Sequence, residues 1–258
     1  MRFDVVTLFP ELVRPVIESG VTGRAAEQGL VEVHFWNPRR WGAGVHQAVD
    51  DRPYGGGPGM VMGYQPLSAA LAAVREADPR PALVVALTPQ GRRLDQAALR
   101  RFSGLPRVAL LCGRYEGIDE RLLEAEVDEE WSLGDYVLSG GELAAMVVID
   151  GCARLLPGAL GHAESAQQDS FTAGLLDCPH YTRPEVIAGR AVPPELLTGH
   201  HARIERWRRR EALGRTWERR PDLLAAMNLG PEDAALLDEY RALRNRSGAR
   251  IDGDDRGL

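Results

Sequence analysis

Apart from Asp4, positions 3–9 hold mostly apolar, β-branched or aromatic residues and predict a buried strand that Pro10 stops. Apolar positions then recur at helical spacing (Leu12, Val16, Ile17) before a second run, 30–36, predicts another strand. Positions 37–62 show no clear period and contain DDRPYGGGPGMVM, an aperiodic stretch long enough to be functional or mobile. Helical spacing resumes over 66–77. A strand at 82–87 ends in Thr88-Pro89-Gln90-Gly91, a helix follows at 94–102, and a strand at 108–111 feeds a glycine-bearing turn, 113–117. One short helical segment separates that turn from a second, 134–141. A helix over 142–156 then carries Arg154 near its end before Pro157-Gly158 terminates it. The alternation predicts an α/β domain with a largely parallel sheet and a ligand at the C-terminal strand ends.

From 161 to 172 the pattern turns polar, as an interdomain linker does. Beyond it Thr198 caps a helix predicted to stop at Gly214, Pro231 opens a helix through Leu243, and the polar tail after Arg244 reads as disordered. There are no internal repeats.

The length suits one large domain, or one of about 150 residues plus a smaller one. With 44% hydrophobic and 26% charged residues the composition is that of an ordinary globular protein. A net charge of −6 argues against wholesale polyanion binding but leaves room for a local basic patch. All 31 basic residues are Arg, which reads as coding bias. Three cysteines without a CxxC pair point to a reducing, cytoplasmic setting and away from a thiolate zinc site. The six histidines show no metal spacing. The N-terminal apolar run is too short for a signal-peptide core, and no stretch reaches the ~20 apolar residues of a membrane helix.

GGGPGM (55–60) lacks the GK[ST] ending of a phosphate loop, and GRYEG (113–117) lacks the GxGxxG of a dinucleotide site, so an NTPase and a Rossmann enzyme are both disfavoured. By residue physics alone, Gly113 and Gly117 fit a tight strand–helix turn as well as a ligand contact. Turn chemistry explains the glycines of 134–141 but not Asp135 and Tyr136 among them. Asp50, Asp51 and Arg52, before the glycine loop, read as a solvated turn or a substrate contact. Asp169 reads as a solvated linker residue, and Arg154 as a cation at a helix C-terminus. The clearest signal lies between Arg183 and Arg220, where ten Arg face five Glu. Helical spacing sets Arg203, Arg206 and Arg210 on one face beside Trp207, which suits phosphate binding.

VDDRPYGGGPGMVM, LLCGRYEGIDER, WSLGDYVLSGGEL, ARLLPGALG, QDSF and YTRPE occur in this order. Together they resemble the bacterial tRNA (guanine-N1)-methyltransferases that modify guanosine 37. The resemblance implies a SPOUT-type parallel sheet with a C-terminal trefoil knot (1–160), a linker (161–172) and a small all-α tRNA-binding domain (173–246), with a disordered tail (247–258). It implies S-adenosylmethionine as methyl donor, tRNA as substrate, no membrane, and a homodimer whose active site is shared between subunits. A magnesium requirement is left open.

Carried over, the knot loops are 87–91, 113–117 and 132–141. The implied cofactor residues are Leu87, Pro89, Gly113, Tyr115, Gly117, Ser132, Leu133, Gly134, Asp135, Tyr136, Val137, Leu138, Gly140 and Gly141. Substrate contacts are implied for Asp50, Arg52, Gly59, Glu116, Arg183, Arg203, Arg206 and Arg210. Asp169 is implied as general base and Arg154 as the group stabilising the guanine O6. Ala86 and Thr88 stand where the family usually shows Tyr and Ser, and Ala144 stands where it shows Pro. A non-catalytic RNA-binding protein and a methyltransferase acting on ribose or another base are the competing readings.

Overall fold

The computed structural model describes residues 1–161 and 169–251, with side chains through Arg246. The chain forms two compact units, Met1–Ala163 and Glu164–Leu258.

The first unit is built on a five-stranded, all-parallel sheet: β1 (Arg2–Val6), β2 (Glu32–Trp36), β5 (Leu83–Arg93), β6 (Arg107–Cys112) and β7 (Glu129–Ser132), in the order β2-β1-β6-β5-β7. Side chains alternate between two cores, because successive residues of a strand point to opposite faces. Phe3, Val5, Val85, Val108 and Leu110 meet helices α1 (Pro10–Val13), α2 (Gly20–Glu27), α4 (Gln96–Ser103) and α6 (Glu142–Ala153) on one face. Val6, Val84, Ala86, Ala109 and Leu111 meet α3 (Tyr64–Ala77) and α5 (Glu120–Glu126) on the other. Every residue of β1 and β6 is buried, which is why both read as nearly continuous apolar runs.

Two sequence expectations are corrected in this unit and a third is sharpened. The stretch 37–62 keeps an irregular glycine loop over 52–60, but that loop is pinned where it starts and ends. The end of the stretch folds back as the antiparallel pair β3 (Asp50–Asp51) and β4 (Val61–Met62), and Met62 N–H donates to the Gly117 carbonyl at 2.9 Å. Residues 88–91 do not end the strand after Leu87. Leu87 and Arg92 both pair with Trp131, so the four residues between them bulge out and β5 resumes to Arg93. β7 was not expected at all, since Asp128, Glu129 and Glu130 look polar. At a sheet edge two of these carboxylates find partners: Asp128 accepts the Val84 N–H, and Glu129 pairs with Arg101 and accepts from the Trp131 indole.

The second unit is mainly helical: α7 (Pro194–Leu197), α8 (His201–Arg219), α9 (Pro221–Ala225) and α10 (Pro231–Ile251), around Leu175, Leu213, Leu236 and Leu237. The all-α expectation is corrected by a two-stranded antiparallel ladder, β8 (Val186–Ile187) with β9 (Arg190–Ala191). α8 does not stop at Gly214. A Cβ there would lie 2.3 Å from the Tyr240 ring, so this glycine lets α10 approach α8 rather than ending the helix. The helix predicted to end at Leu243 continues to Ile251, within the expected tail. Residues 162–168 of the expected linker and 252–258 of the tail lie outside the described residues. Among the described residues no helix is long and apolar enough to cross a membrane.

Candidate active site

Because β6, β5 and β7 are adjacent and parallel, their C-terminal ends open on one edge of the sheet. The segments leaving those ends enclose a cavity of about 340 Å³, within the range of small-ligand sites. Of the fourteen expected cofactor residues, Gly134 and Asp135 do not line it; the other twelve do. Arg114, Trp131 and Ser139 also line it and were not anticipated. The Arg inside GRYEG was the available signal for Arg114. Trp131 could be placed only once β7 was known.

The two glycine turns are locked to one another. Gly141 N–H donates to the Gly113 carbonyl at 3.0 Å, and a Cβ on Gly141 would lie 2.7 Å from the Cys112 Cα. A Cβ on Gly140 would meet Arg114 Nε at 2.3 Å. Arg114 Nε donates to Glu142 Oε2 at 3.0 Å, Thr7 Oγ1 donates to Glu142 Oε1 at 2.7 Å, and the Arg114 guanidinium sits 4.4 Å from the Phe9 ring centroid. One buried carboxylate thus joins the end of β1, the 113–117 turn and the start of α6. Burial, and secondarily the nearby Glu142 carboxylate, push the Cys112 thiol well above its usual pKa and keep it protonated.

The glycine-rich loop is stitched to the same turn. Glu116 N–H donates to the Met60 carbonyl at 2.9 Å, and a Cβ on Gly59 would lie 2.4 Å from Glu116 Oε1, bringing these two expected substrate residues together. Asp50 lies in β3, and Arg52 follows it on the exposed surface. Of the three departures from the family pattern, Ala86 is fully buried in the second core and does not line the cavity, whereas Thr88 and Ala144 do. Arg154 is the C-terminal cap of α6, half-buried, its N–H donating to the Asp150 carbonyl.

Asp169 belongs to the second unit. It opens a turn in which Thr172 N–H donates to the Asp169 carbonyl, and it lines a hollow of about 310 Å³ with Asp177, Cys178, His180 and Arg208. The turn is fixed to its own unit through Ser170 Oγ, which accepts the Asp177 N–H, and Thr216 Oγ1, which accepts the Leu176 N–H. Asp177, Cys178 and His180 place three ligand-type atoms within 4.8 Å of one another, a grouping the histidine spacing did not reveal. His180 and the Cys178 N–H both bond to the Asp177 carboxylate. Burial pushes the Asp177 carboxyl up, but hydrogen bonds from His180 (2.7 Å) and the Cys178 N–H outweigh it and hold the carboxyl below the usual range. Burial and the Asp177 charge push the Cys178 thiol up to about 11, so it is no thiolate at neutral pH.

The expected Arg face on α8 is partly committed. Arg206 pairs with Glu239, and Arg210, largely buried, pairs with Glu211 and Glu239. Arg183, Arg203 and Arg208 are exposed and make no ion pair among the described residues.

A family model described as tRNA (guanine-1)-methyltransferase TrmD matches residues 1–226. Curated relatives named tRNA (guanine-N(1)-)-methyltransferase include those of Halorhodospira halophila (61% identical, covering 98% of this chain and 96% of the relative), Methylococcus capsulatus (60%; 93% and 96%) and Pseudomonas entomophila (58%; 96% and 99%).

Proposed function

The chain belongs to the tRNA (guanine-1)-methyltransferase family, and from that premise we propose that it methylates N1 of guanosine 37 in tRNA, with S-adenosylmethionine as donor. The observation that carries the reading is the cavity at three neighbouring strand ends, walled by two interlocked glycine turns. When bound, S-adenosylmethionine supplies an electrophilic methyl group on a sulfonium centre. The cavity suits it: Leu87, Leu133, Leu138 and Ala144 offer apolar wall, while the glycines of 113–117 and 140–141 put no Cβ between their backbone and a ligand. Loops 87–91, 113–117 and 132–141 form the trefoil knot in this reading, although chains generally avoid knots. The Gly141–Gly113 hydrogen bond and the lack of room for a Cβ at Gly141 support such close threading.

Methyl transfer is an in-line displacement, so holding donor and nucleophile in register supplies much of the rate. Neutral guanine carries a proton on N1 that must leave as the methyl arrives. Asp169 accepts it; an unperturbed Asp, with a pKa of about 3.9, is a weak base for that task and needs help. Arg154 gives that help by stabilising the negative charge that develops on O6. Direct pairing of Arg154 with Asp169 would lower the base's pKa and oppose the transfer, so Arg154 points at O6 in the productive complex.

Asp50, Arg52, Gly59 and Glu116 border the guanine. Arg183 and Arg203 meet phosphates, while Arg206 and Arg210 would first have to leave Glu239. The active site is shared across a homodimer. The half-exposed apolar residues Leu143 and Val147, one turn apart on α6, and Leu12 on the adjoining α1 support an interface there. A tRNA substrate puts the enzyme in the cytoplasm.

Incubating the purified protein with S-adenosylmethionine and a tRNA transcript should yield 1-methylguanosine at position 37. A methylated ribose, another base or no product overturns the assignment. Asp169→Ala should abolish turnover while calorimetry finds cofactor affinity nearly unchanged. Normal turnover by that variant removes Asp169 from the chemistry.

A further inference from the structure

The hollow that holds Asp169 has a larger neighbour within the same unit. A groove of about 1050 Å³ runs between the 179–185 segment and α8. His180 and Arg208 line both spaces, so they form the shared wall. In the groove, Tyr181 is 48% exposed and braced by the buried Trp207, ring centroids 6.2 Å apart at 60°. Arg183 and Arg208 line it, neither in an ion pair, and Glu185 is the only carboxylate in the lining, among the described residues. Leu196, Leu197, Val192 and Ile204 supply apolar floor.

These features fit an unstacked nucleotide. A braced, half-open tyrosine offers a π-face to any base, and unpaired guanidinium groups suit a phosphate. The Arg206–Arg210 face of α8 is a poorer site, because Glu239 of α10 already neutralises both cations there. His180 and Arg208, which line both spaces, lie between a target base at Asp169 and the groove. We propose that the groove seats the nucleotide adjoining the target guanosine, its base stacked on Tyr181 and its phosphate held by Arg183 and Arg208. This rests on the tRNA-methylation reading above and deepens it. Recognition through a π-face and a phosphate is tolerant of sequence, so the groove positions the strand and does not read a particular base.

The test uses the full-length protein and anticodon stem-loops carrying 2-aminopurine on either side of the target. Wild-type protein should quench the probe at one of the two positions. Tyr181→Ala should abolish that quenching and raise the KM for tRNA about tenfold, the size of one stacked base, with cofactor affinity unchanged. Tyr181→Phe, which keeps the ring, should restore both. Arg183→Gln should lower the log–log salt slope of RNA binding by about 0.7, the share of one phosphate on a single strand. Absence of quenching at both positions with wild-type protein overturns the proposal even if the alanine variant misfolds. So does an unchanged KM in a folded Tyr181→Ala. In either case methylation of tRNA by the wild type leaves the functional reading intact. Failure of the wild type to methylate sinks both.

Discussion

At Glu142 a carboxylate only 1% exposed is held by Thr7 and Arg114, and the walls of the cavity depend on that pairing. Arg114→Ala would leave Glu142 with a buried charge lacking its cation, a change that commonly costs about 3–5 kcal/mol. Part of that cost should appear as looser cofactor binding, because the same contact joins the two turns. Calorimetry should show weakened affinity in a protein still folded by circular dichroism. A second buried carboxylate, Asp4, accepts hydrogen bonds from Arg107 (2.7 Å) and Trp36 (2.9 Å) and pairs with Arg2. Burial pushes its carboxyl up, but the bonds from Arg2, Arg107 and Trp36 outweigh it and hold the pKa below the usual value. A lowered folded-state pKa contributes stability above the unfolded value of about 3.9 and loses it as pH falls through the folded one. Denaturant titrations should therefore show stability falling below about pH 4. Asp4→Asn should be less stable by about 3–5 kcal/mol at pH 7, through the orphaned Arg107, and show a shallower acid decline.

Among the elements, those with a clean period were legible. β1 and β6 are buried on both faces, so apolar runs broken only by charged residues such as Asp4 identified them. α3 and α6 carry enough apolar positions to read as helices. β7 was not legible, because the Asp128 and Glu129 carboxylates that make it look polar are met by Val84 N–H and by Arg101, partners 44 and 28 residues away. Gly214 misled for a related reason. A glycine after a helical run is a fair stop signal, but here its missing side chain is filled by Tyr240 of α10. Gly214→Ala should overpack that crossing and cost about 1–3 kcal/mol, seen as a lower denaturant midpoint with an unchanged slope. A neutral or stabilising result would mean that α8 and α10 can separate without penalty.

For the whole molecule, the proposed shared site makes a prediction that neither unit makes alone. Mixing an Asp169→Ala protein with an Arg114→Ala protein leaves one mixed-dimer site with both substitutions and the other with neither. If one subunit supplies the cofactor loops and its partner the base, random mixing should recover about a quarter of wild-type activity at a cofactor concentration too low to load the Arg114→Ala parent. No recovery in dimers shown to exchange subunits contradicts sharing. Charge distribution also belongs to this scale. A chain of net charge −6 carries ten Arg and five Glu between Arg183 and Arg220, but local pairing decides which of those cations are available to phosphate.

The sequence by itself determined the parallel α/β domain, the glycine turns at its strand ends and the family pattern. Each rests on local periodicity, turn chemistry or a run of consecutive residues. Tertiary structure alone decided that three strand ends close one cavity, that Glu142 locks its walls, and that the exposed arginines of the groove, rather than the paired ones of α8, stand open. Those outcomes depend on neighbours brought together by the fold. No period or motif in the chain records which carboxylate an arginine will meet.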